Sequence, residues 1–104
     1  MPNYLLLYKG GGMPDSDEEK KKVMDDWGEW MKACGDNSVD AGNPCSDAKV
    51  VSKDKVGEVS GERVTGYSVV KADDMDGAVK AAQMVPLVVD GSGSCDVYET
   101  FAAM

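Results

Sequence analysis

The chain contains no histidine, which is the side chain that most often exchanges protons near neutral pH. General acid–base catalysis would therefore need a carboxylate, lysine, tyrosine or cysteine with a strongly shifted pKa. The three cysteines, Cys34, Cys45 and Cys95, are an odd number and form no CxxC pair. This pattern predicts free thiols in place of a zinc site or a disulfide framework. We find no recognisable catalytic motif, and we expect neither a metal nor another cofactor.

Basic residues are also scarce, because 19 acidic residues outnumber 11 basic ones and leave a net charge of −8. The negative field repels phosphates, so binding to nucleic acid or to anionic lipid is not expected. No apolar run approaches the ~20 residues that span a bilayer. The first residues lack the basic start of a secretory signal. We therefore expect a cytoplasmic protein that forms a single domain over residues 1–104.

The first half of the chain predicts one strand and one helix. Tyr4-Leu-Leu-Leu-Tyr8 is an apolar run of strand length, and it is followed by glycines. Ser16 and Glu19 have the spacing of a capping box, which predicts that a helix starts there. Its apolar stripe includes Trp27 and Trp30, and Gly35 supplies its C-terminal cap.

The second half predicts a strand, a capped helix and a final strand. Thr65–Lys71 is rich in β-branched and aromatic residues, as a buried strand requires. Asp73 is the predicted N-cap of the helix that follows, and Pro86 is the predicted end of that helix. Residues 96–101 alternate again with period two, which predicts the last strand.

Between residues 37 and 64 the pattern is weaker, and strand boundaries stay open there. Ser38–Ala41 and Ala48–Ser52 are candidate strands, and Lys55–Glu62 fits either a loop or the edge of a hairpin. The order of elements predicts an α+β, ferredoxin-like βαββαβ sandwich, with an antiparallel sheet and two helices on one face.

The first strand carries apolar side chains on both faces. Tyr4, Leu6 and Tyr8 point to one face, whereas Leu5 and Leu7 point to the other. Two helices cover only one face of such a sheet. The pattern therefore predicts a homodimer in which two sheets pack face to face.

Four residues are candidates for lining a ligand pocket, and each has a plainer interpretation. Asp40 follows a predicted strand, but a turn aspartate that binds its own backbone would give the same sequence. Tyr8 and Tyr67 could direct hydroxyl groups into a cleft, or they could be core tyrosines with a hydrogen-bonded tip. Trp27 could form an aromatic wall, although its place on the apolar stripe also fits ordinary packing.

Several blocks of the chain, in order, resemble the YCII-related proteins, which are small bacterial proteins of the dimeric α+β barrel group. The blocks are Tyr4–Tyr8, Trp27–Trp30, Asp40–Pro44, Val64–Val70 and Asp96–Glu99. The resemblance implies a ferredoxin-like protomer, a homodimer and a ligand cleft. Most members have no established activity. Some pair a histidine with an aspartate as an acid–base site, and this chain has no histidine for that purpose.

The resemblance and the composition together predict an accessory, non-catalytic homodimer that binds a small apolar or aromatic molecule or a partner. The alternative is a small-molecule isomerase or lyase, with Asp40 or a tyrosine as the group that transfers protons. A third possibility is an interaction module without a ligand.

Overall fold

The computed structural model describes residues 1–11 and 15–102 of the chain. Its first strand, β1 (Asn3–Gly10), extends the predicted apolar run Tyr4–Tyr8 by one residue at its start and two at its end. Tyr4, Leu6 and Tyr8 are buried, whereas Leu5 and Leu7 are half-buried. The alternation of faces along β1 is therefore the one that the sequence predicts.

Helix α1 (Asp17–Cys34) begins and ends where its cap residues predict. The Glu19 amide donates to Ser16 Oγ at 3.2 Å, and three acidic residues lie in the first turn, near the positive end of the helix dipole. Gly35 ends the helix with a φ of 55°, a value that glycine adopts without strain. A short 3-10 turn (Gly35–Asn37) then leads into β2 (Ser38–Asp40).

The predicted strands of the second half are also present, with two corrections at the helices. Strand β5 (Val64–Lys71) leads to α2 (Met75–Gln83), whose N-cap is Asp74 and not the predicted Asp73. Asp74 Oδ1 accepts from the Gly77 amide at 2.8 Å. Pro86 does not end α2 but starts a short helix, α3 (Pro86–Val89), where its fixed φ is favourable. Strand β6 (Gly93–Glu99) follows.

Strands β1, β2, β5 and β6 form one antiparallel sheet in the order β2-β5-β1-β6. Strand β1 lies in the middle, where Tyr8 is opposite both Gly66 and Cys95. Two further strands, β3 (Val50–Val51) and β4 (Val56–Gly57), pair only with each other in a separate two-stranded sheet. The weak region of the sequence thus contains an outer strand and an independent hairpin.

The core lies between the sheet and the helices. Its buried apolar side chains come from β1, β5, the helices and the segments that flank α2: Tyr4, Leu6, Tyr8, Trp30, Val70, Ala72, Ala78, Ala82, Val85 and Leu87. The fold is thus a mixed α+β fold with a four-stranded antiparallel sheet. Within residues 1–11 and 15–102, no helix has both the length and the apolar content that a membrane crossing requires.

The segment after β2 stays pressed against β5. Gly42 has a φ of +81°, and a Cβ atom built on it would lie 1.6 Å from the Tyr67 carbonyl oxygen. Only glycine fits this approach. Pro44 bridges to Gly66, and the Cys45 amide donates to the Thr65 carbonyl at 2.9 Å. The edge of the sheet therefore continues beyond Asp40 in an irregular form that periodicity does not reveal.

Candidate functional site

Two of the four predicted pocket residues, Tyr8 and Trp27, are in contact. Their ring centroids lie 5.0 Å apart at an interplanar angle of 63°, an edge-to-face arrangement that aromatic pairs favour. Trp27 also meets Trp30 edge-to-face at 5.9 Å. Trp27 is half-buried, whereas Trp30 is buried and donates through Nε1 to the Ala81 carbonyl at 2.9 Å.

The hydroxyl group of Tyr8 is buried without a hydrogen-bond partner among the described residues. The whole residue is only 4% exposed. A buried hydroxyl without a partner has lost its bonds to water and has gained nothing in return, which costs about 1–3 kcal/mol. Burial also raises the pKa of this phenol far above its ordinary value, so Tyr8 stays neutral and keeps a proton that it can donate to a partner.

Ser68 and Gly66 form the surroundings of Tyr8 on β5. Ser68 is buried, and its Oγ donates its proton to the Ala41 carbonyl at 2.7 Å. The Ser68 hydroxyl lies close enough to the Tyr8 hydroxyl to lower the phenol pKa and so oppose part of the rise caused by burial, but the two groups do not meet hydrogen-bond geometry in this structure. Gly66 is opposite Tyr8, and a Cβ atom built on it would make ordinary van der Waals contact with Tyr8 Cδ2 at 3.5 Å. We call Tyr8, Trp27, Gly66 and Ser68 the Tyr8 site.

Asp40 and Tyr67 do not belong to the Tyr8 site. Asp40 is exposed, and its Oδ1 accepts from the Gly42 amide at 2.8 Å. This is the turn geometry of the plainer interpretation. Tyr67 is opposite Leu7 and therefore lies on the other face of the sheet, where its hydroxyl accepts from Asn43 Nδ2 at 3.3 Å. The four predicted residues thus divide into a contacting pair and two separate positions.

Ser68 is a polar residue of the site that the sequence analysis did not single out. The sequence contains the information for this, because Ser68 lies two residues before Val70 in β5 and so faces the core as Val70 does. A serine at a core position of a strand needs an internal partner. The carbonyl of Ala41 serves as that partner only because Gly42 brings the segment against β5.

The thiols near the site are poor nucleophiles at neutral pH. Burial and, to a smaller extent, nearby Asp96 raise the pKa of Cys95, which is opposite Tyr8, to about 11. Burial also raises the pKa of Cys34. A thiolate is the reactive form of cysteine, so a raised pKa suppresses its reactivity. The described residues contain no group of three or more His, Cys, Asp or Glu side chains that could hold a metal ion.

Two open grooves lie elsewhere on the surface. One, of about 740 Å³, runs between α2, α3 and β6, and the other, of about 490 Å³, lies between α1 and α2. None of Tyr8, Trp27, Asp40 and Tyr67 lines either groove. Access to the Tyr8 hydroxyl, whose accessible surface is below 1 Å², therefore requires a neighbouring side chain to move.

The sheet face opposite the helices is apolar at its centre. Pairing places five apolar or aromatic side chains on it: Leu5, Leu7, Tyr67, Val69 and Tyr98. Lys9 and Asp96 lie on the same face and form an ion pair at 2.8 Å, which raises the pKa of Lys9. We call this surface the open face.

Comparison with known proteins gives no match, either to a protein-family model or among curated proteins.

Proposed function

We propose that this chain is a YCII-related, ferredoxin-like accessory protein of the bacterial cytoplasm. In this proposal it forms a homodimer and binds a small apolar or aromatic molecule at the Tyr8 site. The strand order β2-β5-β1-β6, with core residues from both long helices against one face, supports the ferredoxin-like assignment. The matched sequence blocks support the YCII-related assignment.

One observation carries the binding proposal, namely the buried Tyr8 hydroxyl without a hydrogen-bond partner. Buried polar groups in proteins are almost always paired, so an unpaired one calls for an explanation. A bound molecule with a hydrogen-bond acceptor would supply the partner. We expect the adjacent, half-buried Trp27 side chain to move when a ligand enters, because the neighbouring Ser68 is fully buried.

The surroundings of the hydroxyl also favour a particular ligand chemistry. Burial keeps Tyr8 protonated, so its hydroxyl can donate a proton to an acceptor atom of a ligand. The rings of Tyr8 and Trp27 provide apolar and aromatic contacts. A net charge of −8 on the chain opposes anionic molecules. The ligand that fits best is therefore an uncharged aromatic molecule with a carbonyl or ether oxygen.

The enzyme alternative has less support from the same geometry. Asp40, its best carboxylate, lies exposed in a turn with one oxygen bound to the backbone. Tyr8 has a raised pKa, which disfavours the phenolate that a general base would need. A donor that stays protonated serves recognition better than proton abstraction. Binding without catalysis is for this reason our first proposal.

Binding can be tested with three simple aromatic probes. Acetophenone offers a carbonyl acceptor, ethylbenzene has a similar shape without an acceptor, and benzoate has an acceptor with a charge. We expect acetophenone to raise the melting temperature most, and Tyr8→Phe to abolish its advantage over ethylbenzene. Tyr4→Phe is the matched control, because it removes a hydroxyl from the same strand and face. Equal responses of all three probes with wild-type protein would contradict the proposed site.

The homodimer is supported by the open face. Apolar side chains at the centre of a sheet are usually covered, and a second sheet can cover them by face-to-face packing. Because Leu7 is half-buried on this face, Leu7→Glu should place a charge in the interface without disturbing the core. We expect sedimentation equilibrium at micromolar concentration to give a dimer for the wild type and a monomer for Leu7→Glu. Met24→Glu, at an exposed position of α1, should remain dimeric.

A further inference from the structure

The hairpin of β3 and β4 is a preformed arm that stands apart from the main sheet. We define the arm as residues 46–63. The Ser52 amide donates to the Lys55 carbonyl at 2.9 Å and closes the turn, and Ser52 Oγ donates to the same oxygen. Lys49 and Glu58 form an ion pair across the base of the hairpin. The arm thus has a defined shape before it meets any partner.

The arm exposes apolar side chains at its end. All residues from 49 to 56 are exposed. Val51 and Val56 are paired across the two strands and therefore lie on the same side of the hairpin. They are 74% and 66% exposed. An isolated two-stranded hairpin is only marginally stable in water, so a persistent arm of this kind needs a surface to cover it.

The accessible surface area and the radius of gyration indicate how much surface a second copy could cover. The accessible surface is 7457 Å², whereas a compact monomer of this mass exposes about 5,600 Å². The radius of gyration is 14.9 Å, against about 13 Å for a compact domain of this length. The excess of about 1,800 Å² is what one subunit of an obligate homodimer buries.

Charge distinguishes the arm from the rest of the chain. Residues 46–63 contain four acidic and four basic side chains, so the arm is neutral and the remaining residues carry the whole net charge of −8. Two copies of the acidic body repel each other. A neutral arm with exposed valines can approach a second acidic body without that repulsion.

We infer that the arm packs its Val51–Val56 pair against a second copy of this chain. The inference rests on the proposed homodimer and assigns a second contact to it, beyond the open face. In a two-fold symmetric dimer each arm reaches the other protomer, so one pair of valines makes the contact twice. The dimer then covers both the open face and the surface that the extended arm exposes.

The test compares the double variant Val51→Thr, Val56→Thr with Val89→Thr in sedimentation equilibrium. Threonine keeps the β-branched shape and removes the apolar character. We expect the dimer dissociation constant of the double variant to rise by about tenfold or more, because four buried methyl groups are replaced in the symmetric dimer. Val89 is a matched exposed valine, and its variant should stay within about twofold of wild type.

A second readout locates the contact. Protein labelled with ¹⁵N is mixed with unlabelled protein, allowed to exchange subunits and treated with a lysine cross-linker. We expect mixed-isotope cross-links that join Lys53 or Lys55, in the turn of the arm, to lysines outside the arm. A wild-type dimer whose dissociation constant the double variant leaves unchanged would overturn the inference and leave the homodimer intact. A monomeric wild type would overturn both.

Discussion

A buried tyrosine lies near each end of β1, but only one of the two hydroxyl groups has a hydrogen-bond partner in the structure. Tyr4 and Tyr8 are both buried, on the same face of the same strand. The Tyr4 hydroxyl donates a hydrogen bond to Glu99 Oε1 at 3.0 Å. The Tyr8 hydroxyl has no hydrogen-bond partner among the described residues, and the neighbouring Trp27 is half-buried.

This difference separates a region built for stability from a region that retains an unfavourable feature. Near Val70, which is opposite Tyr4, buried Trp30 donates its indole proton to the Ala81 carbonyl. At the Tyr8 end a polar atom is left unpaired. Proteins keep such costs mainly at sites of function. The contrast therefore directs the search for a ligand to one end of the helix-covered face.

The largest expected effect compares the two tryptophans. Trp30→Ala should lower the free energy of unfolding by about 3–5 kcal/mol, because it empties a buried aromatic site. Trp27→Ala should cost less, about 1–2 kcal/mol, because half-buried Trp27 buries less apolar area than Trp30. Urea denaturation followed by circular dichroism measures both values. Equal losses would remove the proposed distinction between a closed and an accessible end.

A smaller effect compares the two hydroxyl groups directly. Tyr4→Phe should cost about 1 kcal/mol, because it removes a hydrogen bond to a carboxylate that water can partly replace. Tyr8→Phe should be neutral or should stabilise the protein by up to about 1 kcal/mol, because it removes an unpaired buried group. If Tyr8→Phe instead destabilised the protein as much as Tyr4→Phe, the Tyr8 hydroxyl would have a partner in solution.

The smallest effect concerns pH at the Tyr8 end. The pKa of Cys95 is raised in the folded protein to about 11, so the unfolded chain loses this proton first as pH rises. The stability that the neutral thiol contributes is complete below the unfolded pKa of about 9 and is lost as pH rises toward about 11. Cys95→Ala should flatten this decline in urea denaturation series. Cys45→Ala, at an exposed position, should leave its slope unchanged.

Local chemistry made part of this fold predictable from sequence. Helix α1 could be bounded because Ser16 and Gly35 each act on the nearest backbone groups. The same rules failed between Asp73 and Asp74, since two adjacent aspartates offer the same cap and only the backbone path selects one. Pro86 was misplaced for a related reason, because proline both ends helices and begins them.

The site was half predictable. Tyr8 and Trp27 could be named because one lies on an apolar strand and the other on an apolar helix stripe. Tyr67 lies on the other face of the sheet from them, which the sequence could not show because an aromatic residue in a two-sided strand does not reveal which face is covered. Ser68 was missed because its partner, the Ala41 carbonyl, depends on the close approach at Gly42. Such backbone contacts between distant segments leave no periodic signal.

Strand β6 is one edge of the four-stranded sheet, and its charges bear on aggregation. An unpaired edge invites the edges of other molecules to extend the sheet into fibrils. Asp96 and Glu99 place carboxylates within this strand, and like charges in facing edges would repel each other. The acidic residues that disfavour phosphate-bearing partners thus also act as gatekeepers against self-assembly of the sheet.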